Sequence, residues 1–150
     1  MNTETMAKIT AVALRFGPLQ PRVYDLGQGE VVLSLNVPLP NSRHQEVMIF
    51  ESNGYLIFVS QIKSYSNMES LQAELNLEAI LRANYKIREG SFAITDIPAQ
   101  VGGVEQPTLV FIASQNAKTA DLEEIENKIA SAAKHADELE KITSGGLDSF

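Results

Sequence analysis

The segment from residue 108 to residue 142 constrains the fold most, because it predicts a strand followed by the longest helix of the chain. Residues 108–113 (TLVFIA) are apolar on both faces, which is typical of a central strand in a sheet. Asp121 then occupies a helix N-cap position, and Glu124 stands at the reciprocal position of a capping box. The predicted helix carries an apolar stripe formed by Leu122, Ile125, Ile129, Ala132, Ala136 and Leu139.

The beginning of the chain predicts a helix and a hairpin. Residues 3–16 show a helical stripe, which the Gly-Pro pair at residues 17–18 ends. Residues 22–26 and 31–37 predict two strands joined by a turn at residues 27–30 (GQGE). The second strand alternates apolar and more polar residues, so we expect it to have one buried and one wetter face.

A second hairpin follows a loop at residues 38–43. Asn53 and Gly54 join predicted strands at residues 46–51 and 55–62, and both residue types accept the positive φ of a two-residue hairpin turn. Both strands are apolar on both sides, so we expect a helix on one face and a partner or another element on the other. The residues predicted to form one partner-binding face are Met48, Phe50, Leu56 and Phe58.

A single middle helix is predicted over residues 66–85, opened by a capping box of Ser66 and Glu69. Its apolar surface is broad, so we expect it to be the most buried helix, wedged between layers. Basic residues at its end complement the helix dipole, and an anion site is the alternative; they are Arg82, Lys86 and Arg88. A strand at residues 91–97 and a loop at residues 98–107 lead to the strand at residue 108.

The composition limits the classes of function. The 150 residues carry a net charge of −7, and this sign disfavours binding to the phosphate backbone of nucleic acids. The chain has no cysteine, no predicted signal peptide and no apolar run long enough for a membrane span, so we expect a cytoplasmic protein. The last helix is acidic, which is typical of a solvated face but also favours basic partners.

The sequence predicts no catalytic, cofactor-binding or metal-binding residue. Its two histidines, His44 in a predicted polar loop and His135 in the last helix, show no metal-ligand spacing. A sheet can bring Asp25, Glu30 and Asp96 together, but sequence spacing does not place two carboxylates around a substrate. We therefore expect a non-enzymatic protein that binds another protein through edge-strand pairing and apolar pockets.

The second half of the chain resembles the type III secretion chaperones and the YbjN-like bacterial family. The resemblance rests on LEAILRAN at residues 77–84, SFAI at 91–94, LVFI at 109–112 and DLEEIENKI at 121–129. It implies a chaperone-like fold and chaperone activity, although four strands are predicted before the middle helix where these chaperones have three. The opening MNTET is similar to that of the uncharacterised YjfI-like family, found near genes for membrane-stress proteins.

The sequence thus predicts one α+β domain over residues 1–142 and a flexible tail over residues 143–150. This domain has an antiparallel sheet of five or six strands with three helices packed against it, and the elements follow the chain order α-ββββ-α-ββ-α. The predicted function is that of a chaperone-like adaptor for another protein. The predicted assembly is a homodimer. The alternative is a regulatory component of a bacterial membrane-stress response that acts by self-association through the stripe of the last helix.

Overall fold

The computed structural model describes residues 1–18, 20–96 and 105–144. The strands in these ranges are β1 (Arg22–Gly27), β2 (Glu30–Pro38), β3 (His44–Ser52), β4 (Tyr55–Ser64), β5 (Ser91–Asp96) and β6 (Pro107–Asn116). The helices are α1 (Thr3–Ala13), α2 (Met68–Glu74), α3 (Leu77–Lys86) and α4 (Leu122–Ser144), with one 3₁₀ turn at Pro40–Ser42. The predicted α+β class is confirmed.

All six strands pair antiparallel in one sheet with the order β1-β2-β3-β4-β6-β5. Both predicted hairpin turns are present. Asn53 and Gly54 have φ values of 50° and 83°, and Gln28 and Gly29 have 54° and 79°. Positive φ at both turn residues matches the twist of the flanking strands, which fixes the register of each hairpin.

The main core lies between one face of the sheet and the helices. α4 packs across β2, β3, β4 and β6 and against α1, and its predicted stripe supplies most of its buried residues. Ile125, Ile129, Ala132 and Ala136 are fully buried, whereas Leu122 is partly exposed at the start. The predicted capping box is confirmed: Asp121 Oδ1 accepts from Glu124 N at 2.8 Å, and Glu124 Oε2 accepts from Asp121 N at 3.0 Å. α4 is therefore the helix that closes the core.

The prediction of one middle helix is wrong, because two asparagines cap two separate helices. Asn67 Oδ1 accepts from Ser70 N at the start of α2, and Asn76 Oδ1 accepts from Ala79 N at the start of α3. Leu75, between the helices, is extended with ψ 138°. Ser66 is not the cap.

The expectation that the middle helix is the most buried is also wrong. Ile80 is the buried residue of α3, while the side chains of Leu81 and Tyr85 are 67% and 94% exposed. Because α4 covers the centre of the sheet, α3 is left to pack beside β5.

Several boundaries differ from the predictions. α1 ends at Ala13, because residues 14–16 form a tighter turn in which Phe16 N donates to Ala13 O. His44 is the first residue of β3 and does not lie in a loop. The predicted central strand is longer at both ends and lies next to the edge strand, between β4 and β5. The predicted end of β5 at Ile97, residues 98–104 of the predicted loop and residues 145–150 of the predicted tail lie outside the described residues.

Candidate functional site

The second face of the sheet, here called the helix-free face, carries its own apolar cluster. The cluster consists of strand residues alone: Val32, Met48, Val59 and Val110 are buried, and Tyr24, Leu26, Phe50, Ile57, Ala93 and Ile112 are partly buried. The buried apolar side chains of the described helices belong to the other cluster. An antiparallel sheet can leave one face to solvent, and such a face is normally polar. This face is apolar and is therefore a candidate interface.

A cavity of about 660 Å³, here called the hollow, lies on the helix-free face. Its floor is apolar and is formed by Val32, Met48, Phe50, Val59, Val110 and Ile112. The chain start contributes Met1 and Asn2 to the same lining. A volume of this size lies within the roughly 300–1,000 Å³ that is usual for ligand-binding clefts, so the hollow can receive several apolar groups at once.

The strand register divides the predicted partner-binding residues between the two faces. Met48 and Phe50 pair with Val59 and Ile57 and line the helix-free face. Leu56 and Phe58, by contrast, are fully buried in the core beneath the helices. The prediction that these four residues form one face is wrong, because successive side chains of a strand point to opposite sides. β3 and β4 are apolar on both sides, so their composition did not indicate which set faces the helices.

Three acidic residues line the hollow: Glu30, Glu51 and Asp96. Glu30 shares the face of Val32 in β2, but the register of β3 and β5 turns the side chains of Glu51 and Asp96 to the helix side of the sheet. The N-terminal ammonium of Met1 lies 3.7 Å from Glu51 Oε2. Glu30 and Asp96 form no ion pair with any described residue, and the described lining holds no Lys, Arg or His side chain. Within the described lining, the hollow thus has an apolar floor and one acidic side chain, Glu30, on the same face.

Of the three acidic residues that a sheet can bring together, two line the hollow. Glu30 and Asp96 both line it, although one lies in β2 and the other in β5. Asp25 is not in the described lining, and its Oδ1 accepts from Gly27 N at 2.8 Å within the bulge of β1.

The histidines lie away from the hollow. The His135 ring stacks on Phe111 with centroids 4.7 Å apart, and its nitrogens lie 3.8 Å and 3.9 Å from carboxylate oxygens of Glu89 and Glu138. A backbone hydrogen bond lowers the pKa of Glu89, and the nearby charges of His135 and Lys128 lower it further. Within the described ranges, no group of three or more His, Cys, Asp or Glu side chains could hold a metal ion.

The two edge strands of the sheet, β5 and β1, differ in how far neighbouring side chains cover their outer side. At β5, the Asn84 side chain donates to Phe92 O at 3.0 Å and accepts from Phe92 N at 2.7 Å. At β1, the opposite edge, the Val23 side chain is 57% exposed. Sequence reasoning missed this edge contact, although Asn84 was part of the motif behind the family resemblance.

No protein-family model matches the sequence, and no curated protein shows significant similarity to it. In the part of the chain that the structure describes, no helix is both long enough and apolar enough to cross a membrane. The resemblance to the secretion chaperones therefore stays a prediction, and the helix-free face is the feature on which a functional proposal rests.

Proposed function

We propose that this protein is a non-enzymatic, chaperone-like adaptor that binds an apolar segment of another protein on its helix-free face. The observation that carries the proposal is the hollow of about 660 Å³ over a floor of strand side chains. Its floor presents apolar groups where an antiparallel sheet normally presents polar ones. Apolar area removed from water is the main source of affinity in such interfaces.

The shape of the site also supports a polypeptide client. The hollow extends from β5 and β6 at one side to β1 and β2 at the other, so an occupant crosses several strands. Its floor includes a flexible and an aromatic side chain, Met48 and Phe50, which suit irregular apolar surfaces. The absence of cysteine fits work in a reducing cytoplasm, where we place the protein.

Quantitative pull-down from the native host tests this function. The wild-type chain, Phe50→Gln and Ile112→Gln serve as bait, because both substitutions put a polar group on the floor at partly buried positions. We expect both variants to lose a stoichiometric partner that the wild type retains. Leu81→Gln, at an exposed apolar position on α3, is the matched control and keeps the partner.

Circular dichroism and thermal melting verify that every bait is folded. If Phe50→Gln and Ile112→Gln retain the partner at wild-type stoichiometry while folded, the helix-free face is not its binding site, and the proposed function fails.

A second candidate function is regulation of a bacterial membrane-stress response by self-association, and the β1 edge favours it. Whereas Asn84 covers part of the β5 edge, β1 presents an exposed Val23 beside its outer backbone. Unpaired edge backbone groups are a template for pairing with a second strand. The apolar stripe of α4 does not favour self-association, because Ile129, Ala132 and Ala136 are already buried in the core.

Sedimentation equilibrium distinguishes this alternative. Val23→Lys puts a charge on the β1 edge, which blocks strand pairing, whereas Ile94→Lys places the same charge on β5. We expect self-association, if it is the function, to be lost in Val23→Lys alone. A wild-type chain that stays monomeric at all concentrations eliminates the alternative.

A further inference from the structure

We propose that Asn53 is a site of spontaneous covalent modification. Asn53 and Gly54 condense to a succinimide, which water opens to aspartate or to isoaspartate, and the isoaspartate loosens the β3–β4 hairpin. This inference concerns the turn between the two strands and stands independently of the proposed function. It follows from the sequence of the turn, from the exposure of its two residues and from the freedom of the reacting groups.

The turn contains the one Asn-Gly pair of the 150-residue sequence. The reaction is an attack on the asparagine side chain by the backbone nitrogen of the next residue, and a side chain on that next residue hinders it. Glycine has no side chain and also gives the backbone the freedom that ring closure needs. Every other asparagine is followed by a residue with a side chain: Thr3, Val37, Ser42, Met68, Leu77, Tyr85, Ala117 and Lys128.

The reacting groups of the turn are exposed and are not held by hydrogen bonds. Asn53 and Gly54 are both exposed, and a Cβ added at Gly54 would meet no atom within 4 Å. Among the described residues, neither the Asn53 side chain nor the Gly54 N–H has a hydrogen-bond partner. By contrast, a backbone N–H is bound by the side-chain oxygens of Asn2, Asn67, Asn76, Asn84 and Asn116.

The reaction needs only water and hydroxide as co-reactants. Hydroxide removes the proton of the Gly54 amide, and the Gly54 nitrogen attacks Asn53 Cγ. The N–Cγ bond forms, the Cγ–Nδ2 bond breaks, and ammonia leaves with a proton taken from water. Water then adds to one of the two ring carbonyls. Addition at Cγ breaks the new bond and gives aspartate, whereas addition at the main-chain carbonyl breaks the original peptide bond and gives isoaspartate.

The fold makes the first step possible and gives the second a structural effect. Ring closure requires rotation about the Asn53 Cα–C bond away from the turn conformation, and an exposed hairpin tip opens at a small cost in free energy. Isoaspartate adds one carbon to the main chain, which lengthens the turn that sets the register of β3 and β4. Gly54 O also accepts from Ala117 N at 2.9 Å, in the segment that leads to α4. We therefore expect the isoaspartyl product to loosen the hairpin and this contact.

Ageing of the full chain, followed by peptide mapping with mass spectrometry, tests the site. The purified wild type is incubated at physiological temperature and at two mildly alkaline pH values, and the conversion at each asparagine is measured over time. We expect conversion at Asn53 to be about tenfold faster than at any other asparagine and to increase with the hydroxide concentration.

Asn53→Gly is the matched control, because glycine keeps the positive φ of the turn and removes the reacting amide. Ammonia release from this variant should be about tenfold slower than from the wild type. Equal ammonia release from both chains, an unchanged Asn53 in the aged wild type, or faster conversion at an asparagine that is not followed by glycine would each overturn the inference.

Thermal melting separates the effect of the altered main chain from that of the new charge. Freshly prepared Asn53→Asp carries the same carboxylate on a normal main chain, and aspartate followed by glycine forms the same kind of turn. We expect the isoaspartyl chains, isolated by ion exchange after ageing, to melt about 3 °C or more below Asn53→Asp. Equal melting temperatures would overturn the predicted loosening of the hairpin.

Discussion

The side-chain amide of Asn84 forms both hydrogen bonds that a neighbouring strand would offer to Phe92. Asn84 Nδ2 donates to Phe92 O at 3.0 Å, and Phe92 N donates to Asn84 Oδ1 at 2.7 Å. β5 is an edge strand, and its outward-facing backbone groups at Phe92 are therefore satisfied by a helix residue. One asparagine at the end of α3 thus fixes the helix to the sheet and covers part of an edge that would otherwise accept another strand.

Asn84→Ala should lower the free energy of unfolding by about 2 kcal/mol, because it removes two partly buried hydrogen bonds. Urea denaturation of the variant and the wild type measures the change. Asn127→Ala is the control, because Asn127 is exposed on α4 and alanine favours the helix there. If Asn84→Ala and Asn127→Ala are equally stable, the edge contact contributes nothing.

Arg43→Met should lower the free energy of unfolding by about 2 kcal/mol. Asp137 is 5% exposed, and its Oδ1 lies 2.6 Å from Arg43 Nε. Loss of Arg43 leaves this buried carboxylate with Lys141 at 3.3 Å. Arg82→Met, measured by the same urea titration, breaks an exposed pair and should change stability by less than about 0.5 kcal/mol. A loss as small in Arg43→Met as in Arg82→Met would contradict this role.

Tyr65→Phe should match or exceed the wild-type stability near neutral pH, by up to about 1 kcal/mol. Tyr65 Oη is buried without a hydrogen-bond partner among the described residues, so the hydroxyl is desolvated without compensation. Burial, with the charge of Glu74, raises the pKa of Tyr65 to about 12.

The same pKa shift predicts the pH dependence. A raised pKa means that folding favours the protonated phenol, so this stabilisation is complete below pH 10 and is lost between about pH 10 and 12. Relative to Tyr65→Phe, the wild type should lose about 1.4 kcal/mol between pH 8 and pH 11. Urea denaturation at both pH values measures the difference, and a difference that does not change with pH would refute the shift.

Gly90→Asn should destabilise the fold by about 2 kcal/mol or more, because a Cβ at this position would overlap Ile112 O and the ring of Phe111. Gly54→Asn is the control. Gly54 has a φ of 83° with open space around it, and asparagine tolerates that conformation. Thermal melting should therefore show a large decrease for Gly90→Asn and a small one for Gly54→Asn. Equal decreases would mean that the close approach at Gly90 is relieved without cost.

Local signals predicted the parts of the fold whose determinants are adjacent in sequence. Asn53-Gly54 set a hairpin turn, and Asp121 with Glu124 set the start of α4, because each depends on residues at most three positions apart. The break between α2 and α3 was missed for a local reason. Asn76 lies inside the single helix that the apolar pattern predicts over residues 66–85, although its short amide favours a cap over a helix interior.

The candidate site was predictable only in part, because it depends on pairing across distant strands. Apolar residues on both sides of β3 and β4 correctly indicated that both faces bear apolar groups. They did not show which face the helices cover. The two-residue turn does fix the register of the hairpin, and that register pairs Met48 with Val59 and so places Met48 and Phe58 on opposite faces. That Glu30 and Asp96 line the same hollow depends on the full strand order, in which β6 is inserted between β4 and β5.

The position of α4 after all six strands has a consequence for synthesis on the ribosome. Strands β1–β6 emerge before the helix that covers β2, β3, β4 and β6. The side chains that will face α4, Phe58 and Phe111 among them, lack the cover of that helix until residues 122–144 have left the exit tunnel. Until then the nascent chain has apolar groups on both faces of the sheet and only the shorter helices to cover one of them, so its escape from aggregation depends on how fast the last helix docks.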